Sequence, residues 1–210
     1  MSNWQEAKNN PVFKAANMTF IDSVPDNVIA YLQKKYSDIS ASSSLAGHIK
    51  NQYFYKDWPS YVSQFVESKV ESPNSLAFLN NSEVQTFKGY KSLSKIKLSS
   101  LWINLQKKYE FNPPHTHSGI FSFIIFLNVP YNLNDELKYF KQSSFAKNVT
   151  SCLNFSLVNI LGQITTFPVY VDKEFENKMI FFPARILHSV HPFYTSDDYR
   201  VTVSGNLYSE

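Results

Sequence analysis

The stretch 199–207 constrains the fold more than any other part of this chain: Arg200, Thr202, Ser204 and Asn206 alternate with Val201, Val203 and Leu207. Successive side chains of an extended strand point to opposite faces, so this strand has one polar face and one apolar face. A polar strand face makes chemical sense where it lines the mouth of a barrel. Its apolar face must then pack against something else.

Other segments from about residue 92 share this period of two. In Leu98 to Gln106, Leu101, Ile103 and Leu105 form a greasy face, and Ser100, Trp102, Asn104 and Gln106 a mixed one. Phe121 to Val129 is apolar on both faces and reads as a central strand covered on both sides. Further strands are predicted over Asn154–Leu161, Gln163–Tyr170, Met179–Phe182, His188–His191 and Tyr199–Tyr208, with a turn at Gly162. Eighteen Phe and 13 Tyr fit this abundance of strands. The polar, aperiodic segment Tyr131 to Val149 reads as a surface excursion with room for a short helix.

The first ninety or so residues differ. Ser23-Val24-Pro25-Asp26 supplies a capping hydroxyl and a first-turn proline, and Val28, Ile29, Leu32 and Tyr36 follow at helical spacing. This predicts a helix over Pro25–Tyr36. A second is predicted from Ser60 to Val70, stopped at Ser72-Pro73-Asn74. Between them, Gly47-His48 and Tyr53-Phe54-Tyr55 suit either a short helix or a strand. With no phosphate-binding glycine loop and no strand–helix alternation, the expected fold is mainly β (α+β). Its core is a double-stranded β-helix, a cupin-like jelly roll, over residues 92–210. Residues 1–91 form a mainly helical region covering one outer face, all within a single domain 1–210.

Net charge is only +3, and the lysines are scattered, so no basic footprint for nucleic acid is evident. Cys152 is the one cysteine; an internal disulfide is impossible, a reducing compartment is the natural setting, and a core position is expected for its side chain. Neither a signal-like apolar segment near Met1 nor a run of eighteen apolar residues is present, which points to a cytoplasmic protein without a membrane partner.

Chemistry concentrates in Pro114-His115-Thr116-His117-Ser118-Gly119. If strand alternation runs through this segment, His115 and His117 share a face and aim two imidazoles at one point. Pro113 and Pro114 stiffen the approach, and Ser118-Gly119 permits a tight turn. His188, about seventy residues on, is the candidate third ligand, which would close one triangular face of an octahedral ion and leave the opposite positions open. Arg200 follows by twelve residues, a span suited to a hairpin return. Its guanidinium suits the far carboxylate of a dicarboxylic keto acid. Thr202 on the same face, and Asn104 on the polar face of its own strand, are candidates to hydrogen-bond that co-substrate. His191, His48 and Arg185 read as surface or structural residues, and Trp102 as core.

Trp102-Ile103-Asn104, Pro114 to Gly119, Ser122-Phe123, Phe181-Phe182-Pro183, His188 and Arg200 to Asn206 together resemble the non-haem Fe(II)- and 2-oxoglutarate-dependent oxygenases. The likeness is greatest to small oxygenases of cyanobacterial tailed phages and covers roughly residues 98–208. It implies Fe(II) held by His115, His117 and His188 as metal-binding and catalytic residues, with 2-oxoglutarate and O2 as co-substrates. It also implies hydroxylation of an unidentified substrate with release of succinate and CO2, in the host cytoplasm if the protein is phage-encoded. One departure stands out: the superfamily usually carries an Asp or Glu where this chain has His117. That substitution leaves either a three-histidine site or a reassigned ligand, and with neutral imidazoles zinc or nickel could compete for it. Two other functions fit the same residues: a cupin-like three-histidine metalloenzyme that uses no keto acid, and a non-catalytic jelly-roll binding or virion-associated protein.

Overall fold

A computed structural model describes residues 1–35, 47–86, 95–139, 150–159 and 161–210. Two short helices, α1 (Asn3–Asn9) and α2 (Pro11–Ala15), precede strand β1 (Thr19–Ile21) and helix α3 (Asp26–Lys35). Strand β2 (Asn51–Phe54) is followed by helices α4 (Ser60–Glu67), α5 (Pro73–Leu79) and α6 (Ser82–Thr86). The strands β3 (Ile96–Gln106), β4 (Asn112–His115) and β5 (Phe121–Asn128) come next, then helix α7 (Leu133–Tyr139). The chain finishes with β6 (Cys152–Val158), β7 (Ile164–Tyr170), β8 (Met179–Pro183), β9 (Leu187–Val190) and β10 (Arg200–Ser209).

These strands build two antiparallel sheets, ordered β1-β8-β5-β10-β3-β2 and β4-β9-β6-β7. The result is the expected double-stranded β-helix. Strand β10 hydrogen-bonds to β3 on one side and β5 on the other, so both of its edges are paired and it sits in the middle of the larger sheet. Its apolar face, with Val201, Val203 and Leu207, joins Leu101, Ile103, Phe121, Phe123 and Phe181 in one core cluster. Val28 and Leu32 of α3, Val62 and Val66 of α4 and Leu79 of α5 cover that face. Between the sheets lies a second cluster containing Ile124, Phe126, Phe155, Val169 and Phe182.

Helices α1 and α2 depart from the expected placement on one outer face. Their Trp4, Ala7 and Phe13 belong to the cluster between the sheets, where the Trp4 ring meets Phe20 and Phe175 edge-on and Phe13 meets Phe155. Strands β1 and β2 also come from the first ninety residues and form the two edges of the larger sheet. The helix expected over Ser60–Val70 is α-helical only to Glu67 and tightens into a 3-10 turn over Ser68–Glu71. Ser72-Pro73 does stop that element, but it also starts α5: the Ser72 hydroxyl accepts the Ser75 N–H and Pro73 takes the first turn. Of the excursion 131–149, residues 133–139 form α7, and the part from 140 to 149 lies outside the described residues, as does Tyr36 at the end of the predicted first helix.

Close packing within the larger sheet depends on Gly205. A Cβ at that position would lie 2.5 Å from the Ser100 carbonyl oxygen and 2.7 Å from the Phe123 ring. The carbonyl cannot withdraw without opening the ladder that β10 shares with β3, and the fully buried Phe123 ring has little room to turn aside. Gly205→Ala is therefore expected to lower unfolding stability by about 1–3 kcal/mol, read from urea midpoints. An unchanged midpoint would contradict this close approach.

Candidate metal centre and co-substrate pocket

Strand β4 delivers His115 directly opposite His188 of β9. The register of this pair slips between Asn112 and His115, where Pro113 and Pro114 have no N–H to give to a ladder. His117 lies beyond the end of β4, so alternation along one strand is not what aims it. The His117 N–H instead donates to the Ala184 carbonyl, 2.9 Å away in the turn after β8, and Gly119 with φ 98° lets the chain turn into β5. Two separate elements thus carry the histidine pair. All three rings still converge: centroids are 4.3 Å apart for His115 and His188, 4.9 Å for His117 and His188, and 5.1 Å for His115 and His117. One ligand nitrogen from each lies within 4.8 Å of the others.

Second partners fix how two of these rings present themselves. Nδ1 of His115 lies 2.7 Å from the Pro113 carbonyl and Nδ1 of His188 lies 2.9 Å from the Ile186 carbonyl. A carbonyl only accepts, so Nδ1 must carry the proton and Nε2 keeps its lone pair for a metal. His188 is buried beside the Phe155 and Phe182 rings. Burial, followed by the neighbouring His115, pushes its pKa down to about 3; the same two causes in the same order push His117 down to about 4. Neutral imidazoles are what a metal requires. The donor set therefore fits a divalent transition-metal ion, with an open side toward the cavity.

That cavity, of about 330 Å³, runs between the sheets. The three histidines line it together with Ser100, Trp102, Asn104 and Gln106 of β3, and Arg200, Thr202, Ser204 and Asn206 of β10. Asn104 and Thr202 are register partners, so the two residues predicted to hydrogen-bond a co-substrate face it side by side. Trp102 is buried, as expected of a core residue, and also forms cavity wall, its ring 5.4 Å from that of His117. His48 stacks on Phe111, and the side chain of His191 points away from the metal centre toward Asn154.

Arg200 is almost wholly buried, and all five of its N–H donors are engaged. Nε and Nη2 both donate to Gln106 Oε1; Nη2 also donates to the His191 carbonyl at 3.1 Å, and Nη1 to the Tyr131 hydroxyl at 2.7 Å and the Ser151 carbonyl at 3.4 Å. Every one of these acceptors is neutral. No ion pair to Arg200 is present among the described residues, and no Asp, Glu or Lys is among those lining the cavity. Gln106 and Tyr131 were not sequence candidates; alternation through Asn104 places Gln106 on the right face, but nothing local marks Tyr131. A further device steadies this end. The buried Glu136 carboxylate of α7 accepts the Tyr194 and Thr195 N–H groups, both at 2.8 Å, and so fixes the loop leading to Arg200.

The lowered histidine pKa values set a sign for pH dependence. Folded, both rings stay neutral down to about 4 and 3, whereas in the unfolded chain they protonate near 6.5. The metal-free protein should keep its full stability above pH 6.5 and lose stability as pH falls toward those folded values, because the unfolded chain takes up protons that the folded chain refuses. Urea midpoints at pH of about 7.5 and about 5.5 check this above the main carboxylate range. His188→Asn should flatten the difference, and equal wild-type midpoints would contradict it.

Comparison with known proteins agrees with this geometry. A family model described as "Putative 2OG-Fe(II) oxygenase" matches residues 100–206. Among solved structures, a Pseudomonas putida prolyl-4-hydroxylase superposes with a TM-score of 0.54 at 11% identity, over 95% of this chain and 96% of its own. A 2OG-Fe(II) oxygenase family oxidoreductase from Burkholderia pseudomallei gives 0.51 at 10% identity, over 94% and 88%. The viral collagen prolyl hydroxylase of Paramecium bursaria Chlorella virus-1, in its 2OG complex, gives 0.50 at 10% identity, over 92% and 97%. At such identities these likenesses speak for the fold; no curated protein sequence matches. The family model spans the strands that carry the histidine cluster, Asn104 and Arg200, and this chain belongs to the 2OG-Fe(II) oxygenase family.

Proposed function

We propose that this protein is an Fe(II)- and 2-oxoglutarate-dependent dioxygenase in which His115, His117 and His188 hold the metal and Arg200 anchors the co-substrate. The observation that carries this reading is one of charge. A divalent ion on three neutral imidazoles, with a buried guanidinium in the same cavity, has no anionic side chain to oppose it among the described lining residues. Uncompensated buried charge is costly, and a dianionic keto acid lying between the two centres removes the cost at both ends. Bound iron and 2-oxoglutarate supply oxidation chemistry, in which O2 is consumed, the keto acid leaves as succinate and CO2, and a substrate C–H bond is hydroxylated.

The chain's own residues supply binding, orientation and shelter. Gln106 Oε1 takes two N–H bonds from Arg200, the bidentate position that a carboxylate fills with added charge. The distal carboxylate is thus expected to displace the Gln106 amide while Tyr131 stays in place. Asn104 and Thr202 then face the middle of the co-substrate. Phe126, Leu153, Val171 and Val190 line the same cavity with apolar surface that excludes water. The order of the HxHSG, FFP, His188 and RxxxSGN segments supports a place among the small oxygenases of cyanobacterial tailed phages, acting in the cytoplasm of an infected cell.

A three-histidine centre also suits a cupin-like metalloenzyme that needs no keto acid, and the presence of His117 in place of an acid favours that second reading. One set of assays separates the two. Purified protein with Fe(II) is expected to convert 2-oxoglutarate to succinate, and His188→Ala to lose that turnover. Arg200→Ala is expected to raise the KM for 2-oxoglutarate at least about tenfold, since a charge-assisted bidentate contact is lost. Normal turnover by His188→Ala would sink the proposal. Metal-dependent activity that needs no 2-oxoglutarate and is unchanged by Arg200→Ala would favour the second reading.

A further inference from the structure

We infer that the same cavity carries a distinct substrate subsite, built by Ser100 and Asn206 on the far side of the metal centre from Arg200, which takes a neutral compound through an amide edge: an N–H donor beside a carbonyl acceptor. The inference rests on the oxygenase reading above and extends it to the substrate.

The strand ladder serves as a ruler. Trp102 stands beside His117 and pairs with Ser204, so the Trp102–Ser204 pair marks the level of the metal centre. Arg200 and Gln106 pair two steps away along the cavity face, on what becomes the co-substrate side. Ser100 and Asn206 pair one step the other way, roughly 7 Å past the metal level at the strand rise per residue. A group held there by its amide brings its neighbouring C–H bonds close to the metal without competing for the Arg200 end.

Asn206 is more than nine-tenths buried, lines the cavity, and its Oδ1 has no hydrogen-bond partner; Ser100 Oγ is likewise buried without one. Two orphan polar atoms side by side are unfavourable for the fold alone and call for a ligand. The backbone is also shaped around them. The register of β10 against β3 shifts immediately after Asn206, a bulge of the kind that re-aims a side chain, and only a glycine at 205 lets the Ser100 carbonyl approach as it does.

Charge narrows the class. With no Asp, Glu or Lys among the described lining residues, a substrate carboxylate or ammonium at this end would be buried without a counter-ion. A carboxamide offers both donors and an acceptor, and the complement that satisfies both is another amide. Trp102 and Phe54, ring centroids 6.0 Å apart, flank the approach, and Phe54 is 41% exposed at the rim. They suit a flat or apolar body attached to that edge.

The test uses the full chain loaded with redox-inert Mn(II) and 2-oxoglutarate. Binding of N-acetylglycine methylamide, a peptide amide, and of uracil, a cyclic amide, is titrated by ligand-observed NMR, with acetate and methylammonium as charged controls. At least one amide should bind while neither control does, and whichever amide binds more tightly identifies the source of the edge. Asn206→Leu is expected to weaken that binding about tenfold, the effect of stranding one hydrogen-bonding partner. If Asn206→Leu does not fold, Asn206→Asp and Ser100→Ala carry the same expectation. Wild-type protein that binds 2-oxoglutarate but no amide, or variants that bind the amide as well as wild type, would overturn this inference alone. Wild-type protein that binds no 2-oxoglutarate would overturn the oxygenase reading itself.

Discussion

A buried guanidinium with hydrogen bonds on every side and no counter-charge among the described residues organises this molecule. Arg200 sits at the first residue of β10, and the four neutral acceptors that hold it come from β3, from the chain entering α7, from the residue before β6, and from the loop after β9. Its position therefore depends on both sheets and on two of the longer connections at once. The histidine cluster faces the same cavity, burial keeps His117 and His188 neutral, and the described lining residues include no acidic side chain. The two centres are complementary only through something that neither the wall nor the core provides, and a dianion is the simplest such thing. Hydrogen bonding holds the guanidinium in place; charge makes it receptive.

Separate faces of β10 keep architecture and chemistry apart. Val201, Val203 and Leu207 are locked against strands and helices, while Arg200, Thr202, Ser204 and Asn206 look into the cavity. Because the strand has hydrogen-bonded neighbours on both sides, its register cannot slip without moving every polar group to the apolar side. Spacing among the cavity residues is thereby fixed by backbone geometry rather than by flexible side chains. This suits a reaction in which the co-substrate, metal and substrate must be placed in order along one line.

Much of this was legible in the sequence because strands of alternating character leave a direct trace. The β10 face, the two-sided burial of β5, the hairpin turn at Gly162 and the order of the three histidines and Arg200 could all be read from spacing. Short elements left less. Helices α1, α2, α5 and α6 span only five to seven residues, too few for a periodic stripe, and β1 spans only three. The aim of His117 was legible in outcome but not in cause, since a hydrogen bond to the Ala184 carbonyl, distant in sequence, replaces strand alternation. Tyr131 and Ser151 as partners of Arg200 were illegible for the same reason: such contacts exist only once the sheets have closed.

Cys152, the chain's one thiol, adjoins this chemistry without taking part in it. It is fully buried, its sulfur donates to the Thr150 carbonyl at 3.1 Å, and burial pushes its pKa up to about 12. Thiols react as thiolates, so this one is inert in a protein that handles oxygen beside an iron centre. Oxidative self-damage would thus have no cysteine to begin from. Any oxidative damage to the folded protein would have to begin at other side chains, and alkylating the native protein with a thiol reagent would leave its activity unchanged.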